Sequence, residues 1–186
     1  GGTAGADISL PQAWNIETGN SDIIVAVTDG GIDVNHEDIA ANMWVNTGEI
    51  PGNGVDDDGN GYVDDVNGYG FGDNTGTIPA DFHGTHVGGT VAAVTNNGVG
   101  VAGVAGGDGS GDGIRLMSCA AFGNSGTGGF AETYVYGADM GAVISQNSWG
   151  YTSAGVFEQA VLDAIDYFIA EAGFDEFGNP NGPMQG

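Results

Sequence analysis

The stretch IIVAVTDGG, residues 23–31, decides the fold. From Ile23 to Thr28 every side chain is apolar or β-branched, and the run stops at Asp29-Gly30-Gly31. A continuous run, rather than an alternating one, marks a strand covered on both faces, as in a parallel sheet. Working outward, residues 114–122 read as a second strand of this kind and 142–146 as another. Residues 84–94 are rich in Gly, Ala, Val and Thr, which suits a helix pressed closely against a sheet, and 131–140 suit a short helix. A further helix is plainer. Phe157, Ala160, Val161, Ala164, Ile165, Phe168 and Ala172 recur at three- and four-residue steps, and Gly173 ends the pattern. Strands alternating with helices predict an α/β fold in layers around a mostly parallel central sheet. No repeat is evident, and 186 residues suffice for one domain or a large piece of a bigger one.

Composition narrows the function. Twenty-five acidic residues face one base, Arg115, for a net charge of −24. Nucleic-acid binding is excluded, since nothing is available to neutralise phosphates, and docking on an anionic membrane is disfavoured for the same reason. No stretch reads as a membrane span or a signal peptide, so the chain is expected to be a mature or trimmed form. Cys119 is the single cysteine, which rules out an internal disulfide. Abundant carboxylate with 38 glycines points to loops that hold cations, calcium above all.

Two blocks carry chemistry. Asp29 ends a buried strand, where open α/β sheets place their active sites, although strand-to-loop junctions also favour aspartate as a plain turn residue. A phosphatase-type nucleophile needs a second aspartate two residues on, and Gly31 stands there. The second block is HGTHVGGT, residues 83–90. Zinc is disfavoured because the histidines are three apart with no glutamate between them. Two core histidines remain an alternative to a catalytic His83 at the mouth of a helix, within reach of a carboxylate on one side and a nucleophile on the other.

Together, VAVTDGGID (residues 25–33) and HGTHVGGT resemble the aspartate and histidine motifs of the subtilisin-like serine proteases, in that family's order. QNSWG (146–150) is similar to its substrate-binding segment, and GNSGTGGF (123–130) to the Gly-rich edge that holds the other side of the substrate. The resemblance implies the amino-terminal half of a three-layer subtilisin-like catalytic domain. It also implies that Asp29 orients His83, that His83 is general base and then acid, and that His86 points into the core. Substrate would lie extended between Gly126, Gly128 and Phe130 on one side and Ser148, Trp149 and Gly150 on the other. Core packing is the competing reading of Phe130 and Trp149. The family's Gly-Thr-Ser-Met-Ala segment and its oxyanion asparagine have no match among these residues, so this chain alone is expected to be inactive.

Two cation sites are expected. In DDDGNGYVDD, residues 56–65, the D-x-D-x-N-G pattern sets Asp56, Asp58 and Asn60 at calcium-loop spacing, with the Tyr62 carbonyl next and Asp64 or Asp65 closing the cage. A solvated acidic loop is the plainer alternative. The family resemblance implies a second calcium site at Asp38, Asn97 and the carbonyls of Val94, Val99 and Val101.

The resulting expectation is a secreted or cell-envelope, calcium-binding serine endopeptidase acting on protein or peptide substrates. A companion chain carrying the rest of the domain would remain bound after cleavage beyond the polar turn at 178–183. The alternative is an inactive calcium-binding interaction module on the same scaffold. Retention of both Asp29 and His83 argues against it.

Overall fold

The structure, a computed structural model, describes residues 5, 7–124 and 126–173. The polar turn at 178–183 and Ser125 lie outside them. The central strand is β1 (Ile24–Asp29), flanked by β3 (Arg115–Ala120) and β4 (Ile144–Asn147), with β2 (Gly68–Tyr69) beyond β3. All pairings are parallel. The register sets Asp29 against Ala120 and Thr28 against Asn147, so the carboxyl ends of β1, β3 and β4 open on one edge.

Side chains of β1 alternate between two cores, which makes the architecture three layers. Val25 and Val27 pack with Ile32, Ile39, Met43 and Leu116, beneath the helix α2 (Phe82–Ala92). Ala26 faces the other way, with Met117, Cys119, Tyr136 and Ala142. There the helix α3 (Phe130–Asp139) lies on the sheet, and α4 (Gln159–Glu171) packs on α3 through Val161 and Ala164 against Tyr134. A single turn, α1 (Leu10–Ala13), precedes the sheet.

The small residues of α2 explain its closeness. Gly84, Gly88, Gly89 and Ala92 are its buried positions. A Cβ on Gly84 would overlap the Gly31 carbonyl, and one on Gly88 would press on Ile32. The helix begins at Phe82, earlier than its small-residue run, because the Asp81 carboxylate accepts the N–H groups of His83 (2.9 Å) and Gly84 (3.0 Å) as an N-cap. β2 has no counterpart among the strands read from sequence, since two residues cannot show a period. β3 stops at Ala120. Phe122 instead bridges Thr127 across a glycine-rich turn.

Candidate active site

Asp29 is 4% exposed at the end of β1. Its Oδ1 accepts the N–H of Gly30 at 2.7 Å and lies 2.8 Å from His83 Nδ1, while Oδ2 is 2.9 Å from the same nitrogen. A carboxylate beside Nδ1 holds the proton there and leaves the Nε2 lone pair as a base. The His83 ring is half exposed, and its Nε2 makes no hydrogen bond among the described residues. The hydrogen bond to Asp29, then the Asp29 charge, raise the His83 pKa above its ordinary 6.5, against a smaller lowering by desolvation, and the Asp81 charge adds to the rise. Asp29, Asp81 and His83 each place one atom within 4.8 Å of the others.

A cavity of about 280 Å³ opens on this pair. Gly30, Asp81, Phe122, Ser148 and Trp149 line it with them. Of the substrate-binding residues expected from sequence, Ser148 and Trp149 therefore stand beside His83. Phe130 lies behind them, with ring centroids 4.5 Å from Trp149 and 5.2 Å from Phe122. Phe130 and Trp149 also pack on the Tyr134–Val161–Ala164 cluster, so the core role and the wall role coincide. Gly126 and Gly128 belong to the turn over Phe122, where the Gly128 N–H reaches the Ala121 carbonyl at 2.9 Å. Gly150 is exposed. Ser148 Oγ accepts from Gln146 Nε2 at 2.7 Å, and no hydrogen bond joins it to His83 among the described residues.

Two site residues were not anticipated. Phe122 is the tail of an apolar run that the sequence places inside a strand. Asp81, two positions before His83, has the signature of an N-cap aspartate, a usable signal. One expectation is corrected: His86 does not enter the core. It is exposed and lines a second cavity of about 820 Å³ with Phe82 and His36, and Asp81 lines both cavities. Gly84, Gly88, Gly89 and Ala92, with Val87 and Val91, take the side of α2 that packs on the core, and His86 falls on the other side.

The acidic loop gathers a different set of carboxylates from the one its spacing suggests. Glu49, Asp58 and Asp65 each bring an oxygen within 4.8 Å of the others. Asp65 is 0% exposed and Glu49 7%. Amide groups of Asn46 and Asn60 touch both aspartates, and the Tyr136 hydroxyl donates to Asp65 at 2.7 Å. Asp56, outside the cluster, accepts the N–H groups of Gly59, Asn60 and Gly61, and Asp64, also outside it, accepts those of Asn53 and Gly54. The Tyr62 ring packs edge-on against Tyr69, Phe71 and Tyr136. Buried like charges with oxygen-only donors fit a hard divalent cation. At the other expected site, buried Asp38 accepts from Asn97 Nδ2 (2.7 Å) and the Val101 N–H (2.8 Å). The Val99 N–H binds Asn97 Oδ1, and the Val94 N–H binds the Asp38 carbonyl. Val94, Asn97, Val99 and Val101 thus share one loop around the Asp38 carboxylate, whose two oxygens accept from Asn97 and Val101.

The profile of the Subtilase family matches residues 20–174. Thermitase from Thermoactinomyces vulgaris is 33% identical over 168 residues, which cover 86% of this chain and 47% of thermitase. The halolysin-like extracellular serine protease Nep of Natrialba magadii is 32% identical over 146 residues, 77% of this chain and 23% of that protein. A solved protease from Pseudoalteromonas arctica superposes with a TM-score of 0.53 at 27% identity, covering 89% of this chain and 51% of that one. The chain spans less than half the length of either curated relative.

Proposed function

This chain belongs to the subtilase family, and on that premise we propose that it supplies the aspartate and histidine of an Asp-His-Ser endopeptidase. The observation that carries the reading is the Asp29 carboxylate 2.8 Å from His83 Nδ1, at the mouth of a cavity. His83 Nε2 takes the proton of a serine hydroxyl as that oxygen attacks the scissile carbonyl, and then returns it to the leaving amine. Asp29 holds the imidazole in the required tautomer and stabilises the imidazolium. Substrate runs extended past Ser148 and Trp149, with the turn containing Gly126 and Gly128 on its other side.

The serine and the oxyanion donor come from a companion segment that carries the rest of the catalytic domain, and this chain alone turns nothing over. Two features support that division. β4 pairs only with β1 among the described strands, and Phe82, beside His83, is 85% exposed at the edge of the larger cavity. Calcium, held by Glu49, Asp58 and Asp65 with oxygens from Asn46 or Asn60, would neutralise the buried carboxylates and stiffen the loop next to β2. The name of the extracellular relative and the acidic composition support secretion.

The test is hydrolysis of an unstructured protein by the complete domain, with labelling by a serine-directed phosphonate. Both are expected, and both should disappear in His83→Ala. Hydrolysis that survives His83→Ala would overturn the assignment.

A further inference from the structure

We infer that Asp73 is a positioning residue: its carboxylate holds the glycine-rich turn at 123–128 where an extended peptide can pair with it. This rests on the peptidase reading above and adds to it the group that orders one side of the substrate.

The turn is poorly able to order itself. Gly123, Gly126 and Gly128 bring no side chains to pack, and glycine loses more backbone freedom on being fixed than any other residue. Its internal bonds run across the stem. The Gly128 N–H reaches the Ala121 carbonyl at 2.9 Å, the Gly123 N–H reaches the Gly126 carbonyl at 2.7 Å, and Phe122 bridges Thr127. Asn124, Gly126 and Thr127 are exposed. Phe122, which leads into the turn, lines the cavity beside His83, so a shift of the turn is felt where substrate would lie.

Support comes from residues 70–75. Gly70 and Thr75 exchange N–H···O bonds at 2.8 and 3.1 Å, which closes this segment into a hairpin, and the Asp73 N–H reaches the Gly70 carbonyl at 3.2 Å. The hairpin is rooted in the sheet, because β2 pairs with Ser118 and Cys119 of β3 and the Gly72 N–H donates to the Ala120 carbonyl at 3.0 Å. From this platform Asp73 Oδ2 accepts the Asn124 N–H at 2.8 Å. Such a bond to an ionised acceptor is stronger than one between neutral groups. The two backbones meet with no side chain between them. A Cβ on Gly72 would lie 2.5 Å from the Gly123 nitrogen, and one on Gly123 would lie 2.5–2.6 Å from the Asp73 carboxylate. An edge held in this way is ready for main-chain pairing, and the peptide is spared the cost of ordering it.

The experiment measures KM and kcat of the complete domain for a long quenched peptide, which runs past the turn, and for a short acyl-amino-acid ester, which ends before it. Asp73→Ala is expected to raise KM for the peptide roughly tenfold, with kcat changing by less than about twofold and the ester unaffected. Asp73→Asn keeps an accepting oxygen and should return the peptide KM to near that of the unaltered protein. Gly123→Ala pushes the carboxylate away from the other side, so it should reproduce Asp73→Ala, and the double variant should be no worse than either. If Asp73→Ala does not fold, Gly123→Ala carries the same expectation. An unchanged peptide KM, a loss shared equally by the ester, no rescue by Asp73→Asn, or losses that add in the double variant would overturn the inference while leaving the peptidase reading intact. Cleavage of neither substrate by the unaltered domain would overturn that reading, and the inference with it.

Discussion

Gly84 lies against the backbone carbonyl of Gly31 so closely that any side chain at 84 would overlap it. This contact joins the first turn of α2 to the loop that leaves β1. It sets His83, the preceding residue, over Asp29. The catalytic-type geometry is thus a consequence of helix-to-loop packing, fixed by the absence of a single methyl group.

Gly84→Ala should therefore destabilise the chain by about 2 kcal/mol, the cost of overpacking against backbone that cannot move aside. In an ordinary helix interior the same change would stabilise by roughly 0.5–1 kcal/mol, so the sign discriminates. Thermal denaturation measures it. A parallel NMR titration of His83 should show its raised pKa falling toward 6.5 as the ring withdraws from Asp29.

The pH dependence follows from the same pair. His83 acts as a base only when neutral, and Asp29 raises its pKa, so kcat/KM of the complete domain should climb with pH through a midpoint above 6.5. The folded-state pKa lies above the unfolded one. The stability contributed by the pair is therefore fully present below about pH 6.5 and is lost as pH rises through the folded value. With the ring half exposed, solvent screens this contribution. Asp29→Asn should lower the midpoint and reduce turnover by about 10⁴-fold, because an amide no longer fixes the imidazole tautomer. Unchanged turnover would remove Asp29 from the mechanism.

The layered fold was legible because the β1 run reports burial on both faces of the sheet, the α2 pattern burial against the sheet and the α4 pattern burial against α3. Asp29 and His83 were legible for a related reason, since each ends or begins an element with strong local signals. The grouping of carboxylates in the acidic loop was not. Spacing suggested Asp56, Asp58, Asp64 and Asp65, but side-chain direction in a loop depends on which backbone N–H groups need acceptors. Asp56, Asp64 and Glu49, the last from outside the motif, all accept backbone N–H groups of this loop, but of the three only Glu49 brings an oxygen within 4.8 Å of both Asp58 and Asp65. His86 failed similarly. Periodicity says that it lies on α2 but not that small residues, with Val87 and Val91, occupy the sheet-facing side.

Cys119 is fully buried on β3, and burial alone pushes its thiol pKa far upward. A thiol-directed reagent at pH 8 should leave the folded chain unlabelled and react fully after denaturation. Fast labelling of folded protein would mean that β3 opens locally, contrary to its position beside the central strand.

The acidic loop gives the sharpest test of calcium. Without a cation, Glu49, Asp58 and Asp65 repel one another within 4.8 Å, two of them with little access to water. Calcium added to chelator-treated protein should raise Tm, and saturation at a hundredfold excess over Kd adds about 2.7 kcal/mol. Asp58→Asn removes one of the like charges. It should raise Tm in chelator, where repulsion dominates, and abolish most of the rise with calcium, where that charge is a ligand. Asp56→Ala should behave differently. It strips the acceptor from the N–H groups of Gly59, Asn60 and Gly61, so it should lower Tm by a similar amount in chelator and in calcium, at a cost of about 1 kcal/mol. Opposite signs for the two variants in chelator separate a ligand from a loop cap. If instead Asp56→Ala abolishes the calcium response and Asp58→Asn leaves it whole, the ion sits at the positions that the sequence spacing suggests, and the loop must rearrange to hold it.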